Sequence, residues 1–114
     1  MSFQPNQSMS QEEVDDLVER AIEENEVVLF IKGTKLMPQC GFSQRALQLV
    51  GQHRHDVAVV DTLQSLDEFR VALESHSGWE TIPQTFVNGE FVGGSDILAE
   101  LDDRGELAET LAVA

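Results

Sequence analysis

The sequence predicts an α/β fold, a four-stranded mixed sheet flanked by helices and built as one domain. Three observations predict it. Two short, uninterrupted apolar runs, residues 27–31 and 57–60, have the pattern of strands covered on both faces. The helix-forming stretch between them makes a crossover long enough for parallel pairing. Two further β-type segments, 84–87 and 90–92, bracket Asn88-Gly89, whose tolerance of positive φ suits a two-residue hairpin turn.

The remaining elements follow in order. Residues 1–9 are polar, carry Pro5 and show no period, so they read as a flexible tail ahead of a domain spanning 10–114. Ser10 and Glu13 fit a capping box, and Val14, Leu17, Val18, Ala21 and Ile22 recur at the spacing of one apolar helix stripe. After the first strand, Lys32 to Gln39 contains Gly33 and Pro38 and reads as a loop. Ala46, Leu47, Leu49 and Val50 then mark a second helix closing near Gly51. Cys40 stands where that loop enters the helix. Ser65 and Glu68 suggest a second capping box, opening a helix with Leu66, Phe69, Ala72 and Leu73 that ends at Gly78. Gly93-Gly94 breaks the last strand. Ile97, Leu98 and Leu101 resume helical spacing, and Leu107 and Leu111 extend the pattern past Gly105.

Charge and cysteine content exclude several classes of function. The net charge is −14, from 7 basic and 21 acidic residues, so nucleic acid and anionic membrane are repelled and neither is expected as a partner. So large an acidic excess, with Lys32 and Lys35 the only lysines, has the character of a halophilic surface, adapted to molar salt where screening shortens to roughly 3 Å. No apolar run reaches the length of a membrane span, and 1–10 lacks the basic and apolar regions of a secretory leader, so a soluble, cytoplasmic protein is expected. A single cysteine can form no internal disulfide and no thiolate-rich zinc site. If Cys40 is functional, it acts as a thiolate with partners from outside the chain, which suits a reducing compartment.

At a helix N-terminus, unpaired N–H groups and the positive end of the helix dipole favour thiolate over thiol. Lys32 and Lys35 lie in the loop leading to Cys40 and add to that field. A lone cysteine is otherwise most often a small buried apolar residue. Pro38, Gly41 and Ser43 argue against that here, because they surround it with loop and cap chemistry.

KGT at 32–34, CGFS at 40–43, TIP at 81–83 and GGSD at 93–96 stand in the order found in glutaredoxins. The chain resembles the monothiol, CGFS-type members over roughly residues 11–110, and four separated motifs in matching context are far more specific than one. The resemblance implies a thioredoxin-like fold. It also implies glutathione or a related small thiol as ligand, with Lys32 and Arg70 meeting its carboxylates, Ile82 and Pro83 offering backbone beside the sulfur, and Gly94, Ser95 and Asp96 holding its other end. Phe42 would form an apolar lid. Without the resemblance, Arg70 would be read as part of a solvated helix face and GGSD as a strand end with a helix cap.

Ser43 takes the place of the second cysteine of dithiol glutaredoxins, so Cys40 cannot release a partner by internal disulfide closure. A [2Fe–2S] cluster is usually held by four thiolates. Cys40 from each of two chains and two small thiols supply them, and the family's holo form is such a homodimer. The resemblance therefore implies a cluster carrier with Cys40 as both the reactive and the iron-binding residue, delivering to apo iron–sulfur proteins. The alternative is a thiol-disulfide oxidoreductase acting on mixed disulfides. A third use is an adaptor that binds a BolA-like protein. Trp79 is expected in the core, and His53, His55 and His76 on the solvated surface. Glu80, where the family more often has proline, and residues 35–37 depart from the pattern. The identity of the small thiol stays open.

Overall fold

A computed structural model of the chain describes residues 8–112. Helix α1 (Gln11–Glu24) leads into strand β1 (Val27–Ile31), helix α2 (Gly41–Gly51) and strand β2 (Ala58–Asp61). A 3₁₀ turn (Leu63–Ser65) precedes α3 (Leu66–Ser77), followed by β3 (Gln84–Val87), β4 (Glu90–Gly93), α4 (Ser95–Asp103) and the single turn α5 (Leu107–Thr110). The sheet order is β2-β1-β3-β4, with β1 parallel to β2 and the other two pairings antiparallel. This is the predicted mixed sheet.

The central strand β1 is buried at all five positions, and its alternation divides the core in two. Val28 and Phe30 face α1 and α3, meeting Val14, Val18, Phe69 and Phe86, with the rings of Phe30 and Phe86 edge to face at 5.8 Å. Val27, Leu29 and Ile31 face α2, α4 and α5, meeting Ala46, Val50, Leu98, Leu107 and Leu111. The Ser10 capping box forms as expected: Ser10 Oγ accepts the Glu13 N–H, and Glu13 accepts the Ser10 N–H at 2.9 Å. Asn88 and Gly89 both take positive φ (51° and 82°), as the hairpin turn requires.

Three expectations are corrected. The strand at 58–61 is the sheet edge, so it is half-buried and not covered on both faces. The capping box at Ser65 does not form, because Ser65 Oγ accepts the Met9 N–H at 2.7 Å. The helical spacing does not continue past Gly105: the chain turns there at φ +71°, and Leu107 and Leu111 are buried from a separate turn. The expected tail at 1–9 falls mostly outside the described residues, while Met9 packs on the α1–α3 core. Among the described residues, no helix is long and apolar enough to cross a membrane.

Arg54, after α2, ties the far end of the molecule together. Its guanidinium reaches Glu26 at 2.7 Å and Asp56 at 2.5 Å, and donates to the Leu111 carbonyl at 2.9 Å.

Candidate functional site: a cysteine beside two grooves

Cys40 sits at the end of a closed loop. Lys32 O, just past β1, accepts the Gln39 N–H at 2.9 Å, and Gly33 bridges to Pro38. Gly33 takes φ +103°, and a Cβ there would lie 2.6 Å from Gln39 N and 2.7 Å from Met37 O, so only glycine lets the two arms approach. Asp61 Oδ1, at the end of β2, anchors the loop by accepting the N–H groups of Gly33 (3.0 Å) and Leu63 (2.9 Å). The chain then enters α2 with Cys40 as its N-cap residue in extended conformation.

The Cys40 side chain is partly exposed. Partial burial pushes its thiol pKa up, but the N–H groups of Ser43 and Phe42, the Ser43 hydroxyl and the Lys32 ammonium outweigh that, and the net shift is downward. Ser43 is fully buried, and its Oγ also accepts the Lys32 N–H at 3.0 Å. Lys35 does not contribute to the field as expected. It lines a separate small cleft between α2 and β2 with Leu47, Val50 and Val59.

Two grooves lie beside this helix end. One, of about 540 Å³, is lined by Lys32, Asp67, Arg70, Val71, Glu80, Thr81 and Ile82. The other, about 520 Å³ and mainly apolar, is lined by Phe42, Trp79, Thr81, Ile82, Pro83, Phe91, Val92, Gly93, Gly94, Ser95, Asp96 and Ile97. Thr81 and Ile82 form the wall common to both. The Ile82–Pro83 peptide bond is cis, and neither the N–H nor the C=O of Ile82 makes a hydrogen bond among the described residues. The structure thus gathers the sequence-derived site residues at one end of the sheet: Lys32, Arg70 and Ile82 on one groove, and Phe42, Ile82, Pro83, Gly94, Ser95 and Asp96 on the other. Cys40 lines neither, standing one residue before Gly41 and two before the Phe42 wall.

The glycines of the GGSD segment have an intramolecular reason to lack side chains. A Cβ on Gly93 (φ +148°) would lie 2.6 Å from Ile97 Cβ, and one on Gly94 would lie 3.0 Å from Pro83 O. The first close approach lets the end of β4 turn tightly into α4, and the second brings the start of α4 against the proline turn. Ser95 is buried there and Asp96 exposed.

Trp79 is not a core residue: it is 61% exposed and lines the apolar groove, as does Phe42, which is 64% exposed. His53 is half-buried, not solvated, and pairs with Asp102 at 3.1 Å, whereas His55 and His76 are exposed. Three residues that shape the site carried no sequence signal for that role: Asp61, Gln84, and Ser43 as a buried hydrogen-bonding centre. Their partners are 11 to 28 residues away or in an irregular segment, beyond any local pattern. A hollow of about 770 Å³ at the opposite end of β1 is lined by Glu19, Glu23, Glu24, Glu26 and His76 among others. No group of three or more His, Cys, Asp or Glu side chains among the described residues is arranged to hold a metal ion.

The fold and the site define a protein of thioredoxin-like architecture with one partly exposed cysteine whose thiol pKa is lowered. The Glutaredoxin family model matches residues 27–92. The uncharacterized monothiol glutaredoxin ycf64 of Porphyra purpurea is 45% identical over 105 residues, covering 90% of this chain and 97% of that protein. Glutaredoxin 4 of Escherichia coli strain K12 is 42% identical over 94 residues, covering 82% and 81%. The solution structure of reduced poplar apo GrxS14 superposes with a TM-score of 0.76 at 36% identity, covering 91% of this chain and 95% of that one. The chain belongs to the glutaredoxin family, among its monothiol members.

Proposed function

We propose that this chain binds a [2Fe–2S] cluster through Cys40 and a glutathione-like thiol, bridges a homodimer around it, and transfers it to apo iron–sulfur proteins. The observation that carries this reading is a partly exposed Cys40 with a lowered thiol pKa and no second cysteine in the chain. The cluster is cargo, and the donor set fits it by counting. One thiolate per chain leaves a four-thiolate cluster two ligands short in a dimer, which two small thiols complete.

The grooves suit such a thiol. Lys32 and Arg70 offer cations to one carboxylate, and the free N–H and C=O of Ile82 offer strand-like pairing. The start of α4 offers N–H groups to a second carboxylate, with Asp96 beside them for an amine. Phe42, exposed on the apolar groove, would close over this end as an apolar lid.

Anaerobic reconstitution with iron, sulfide and glutathione, read by visible absorption and elution volume, tests the reading. A coloured dimer is expected, and Cys40→Ser should give a colourless monomer. A colourless monomer from the unaltered chain sinks the carrier role.

The same thiolate favours a second reading. Cys40 Sγ attacks the glutathione sulfur of a mixed disulfide, the S–S bond breaks, and the partner leaves as a thiolate. A second glutathione thiolate then attacks the Cys40 mixed disulfide, giving oxidised glutathione and restoring Cys40. Ser43 is no obstacle to this route. Fast turnover on a mixed disulfide without a coloured dimer would favour it. An adaptor role with a BolA-like partner would be read by a pull-down, and a cytoplasmic setting suits a lone reduced thiol.

A further inference from the structure

Residues 79–83 carry the wall common to both grooves, yet they make no backbone–backbone hydrogen bond among the described residues. Side chains hold the segment instead. On one side Ser77 Oγ, in the last turn of α3, accepts the Trp79 N–H at 3.0 Å. On the other, Gln84 is 1% exposed at the start of β3 and donates from Nε2 to the carbonyls of Trp79 (2.7 Å) and Thr81 (3.0 Å). The carboxamide fits in one orientation only, since reversal would press Oε1 against two carbonyl oxygens. Oε1 itself is buried without a partner. An unpartnered buried acceptor is a cost that an isosteric methionine would avoid, so what the fold retains in Gln84 is its pair of donors.

We propose that Gln84 is a positioning residue, which tethers Trp79 and Thr81 and so holds the free backbone of Ile82 where a small thiol's peptide backbone pairs with it. The inference rests on the small-thiol reading of the grooves. Gln84 touches no ligand itself. It acts through the carbonyls on either side of Glu80, which keep the wall from moving when one groove fills.

The test compares the unaltered chain with Gln84→Met and Gln84→Glu. Reduced glutathione is titrated by NMR, and the anisotropy of Trp79, the only tryptophan, reports on the wall. In Gln84→Met, glutathione binds about tenfold more weakly, the scale of one lost tether. Trp79 anisotropy falls, while the pH profile of Cys40 alkylation and the far-UV circular dichroism stay as in the unaltered chain. In Gln84→Glu, the introduced carboxyl can donate only when protonated. Its binding deficit relative to the unaltered chain therefore narrows as pH falls from about 8 to about 5.5.

Equal affinity in Gln84→Met and the unaltered chain overturns the inference and leaves the thiol site standing. No binding to the unaltered chain overturns both. Should Gln84→Met fail to fold, the pH comparison in Gln84→Glu decides, and a deficit that does not change with pH overturns the inference.

Discussion

The buried hydroxyl of Ser43 accepts the backbone N–H of Lys32 at 3.0 Å, joining the end of β1 to the first turn of α2. With its lone pair so engaged, the hydroxyl keeps its proton free to favour the ionised form of Cys40, and its presence is one cause of the lowered thiol pKa. The side chain that denies Cys40 an internal disulfide partner thus stabilises its reactive form.

Ser43→Ala removes the bond to Lys32 and the hydroxyl beside Cys40. The pH midpoint for alkylation of Cys40 by iodoacetamide should rise, and the orphaned Lys32 N–H should cost about 1–2 kcal/mol in urea unfolding. An unchanged midpoint would mean that the hydroxyl does not reach the thiolate. The lowered pKa also links stability to pH. The folded value lies below the unfolded value of about 8.5, so the contribution is complete above that pH and is lost as pH falls through the folded value. Stability relative to Cys40→Ser should therefore rise with pH across that window.

Glycine positions should separate sharply. Gly33→Ala forces a side chain into a left-handed conformation and against Gln39 N, so a loss of about 1–3 kcal/mol is expected, together with loss of glutathione binding. Gly51→Ala, at the helical end of α2 with nothing within 4 Å of the new Cβ, should instead gain about 0.4–1 kcal/mol. Thermal melting distinguishes the two signs.

Arg54→Ala should cost about 2 kcal/mol by removing charge-assisted bonds to Glu26, Asp56 and the Leu111 carbonyl. Hydrogen exchange should then quicken in α5 while the Cys40 alkylation profile stays put. Arg54→Lys should recover only part of the loss, because an ammonium cannot span the three acceptors as the planar fork does.

The acidic surface predicts a salt requirement. Helix α1 alone carries Glu12, Glu13, Asp15, Asp16, Glu19, Glu23 and Glu24, with Arg20 as its only cation. Circular dichroism should show structure weakening in low-salt buffer and recovering as salt rises toward about 1 M, where charges beyond roughly 3 Å no longer repel. Melting that is indifferent to salt would count against a halophilic surface.

The chain by itself determined the order of helices and strands, the buried centre at β1, the hairpin turn and the helix-entry position of Cys40. Each of these is written in local periods and in residues with particular backbone preferences, and both survive without tertiary context. Only the tertiary structure decided that 58–61 is an edge strand, that Ser65 bonds to Met9 and not to its own helix, and that Trp79 faces a groove. The roles of Asp61 and Gln84 were decided there too, because a buried hydrogen bond depends on which distant groups the fold leaves unpaired, and no local spacing encodes that.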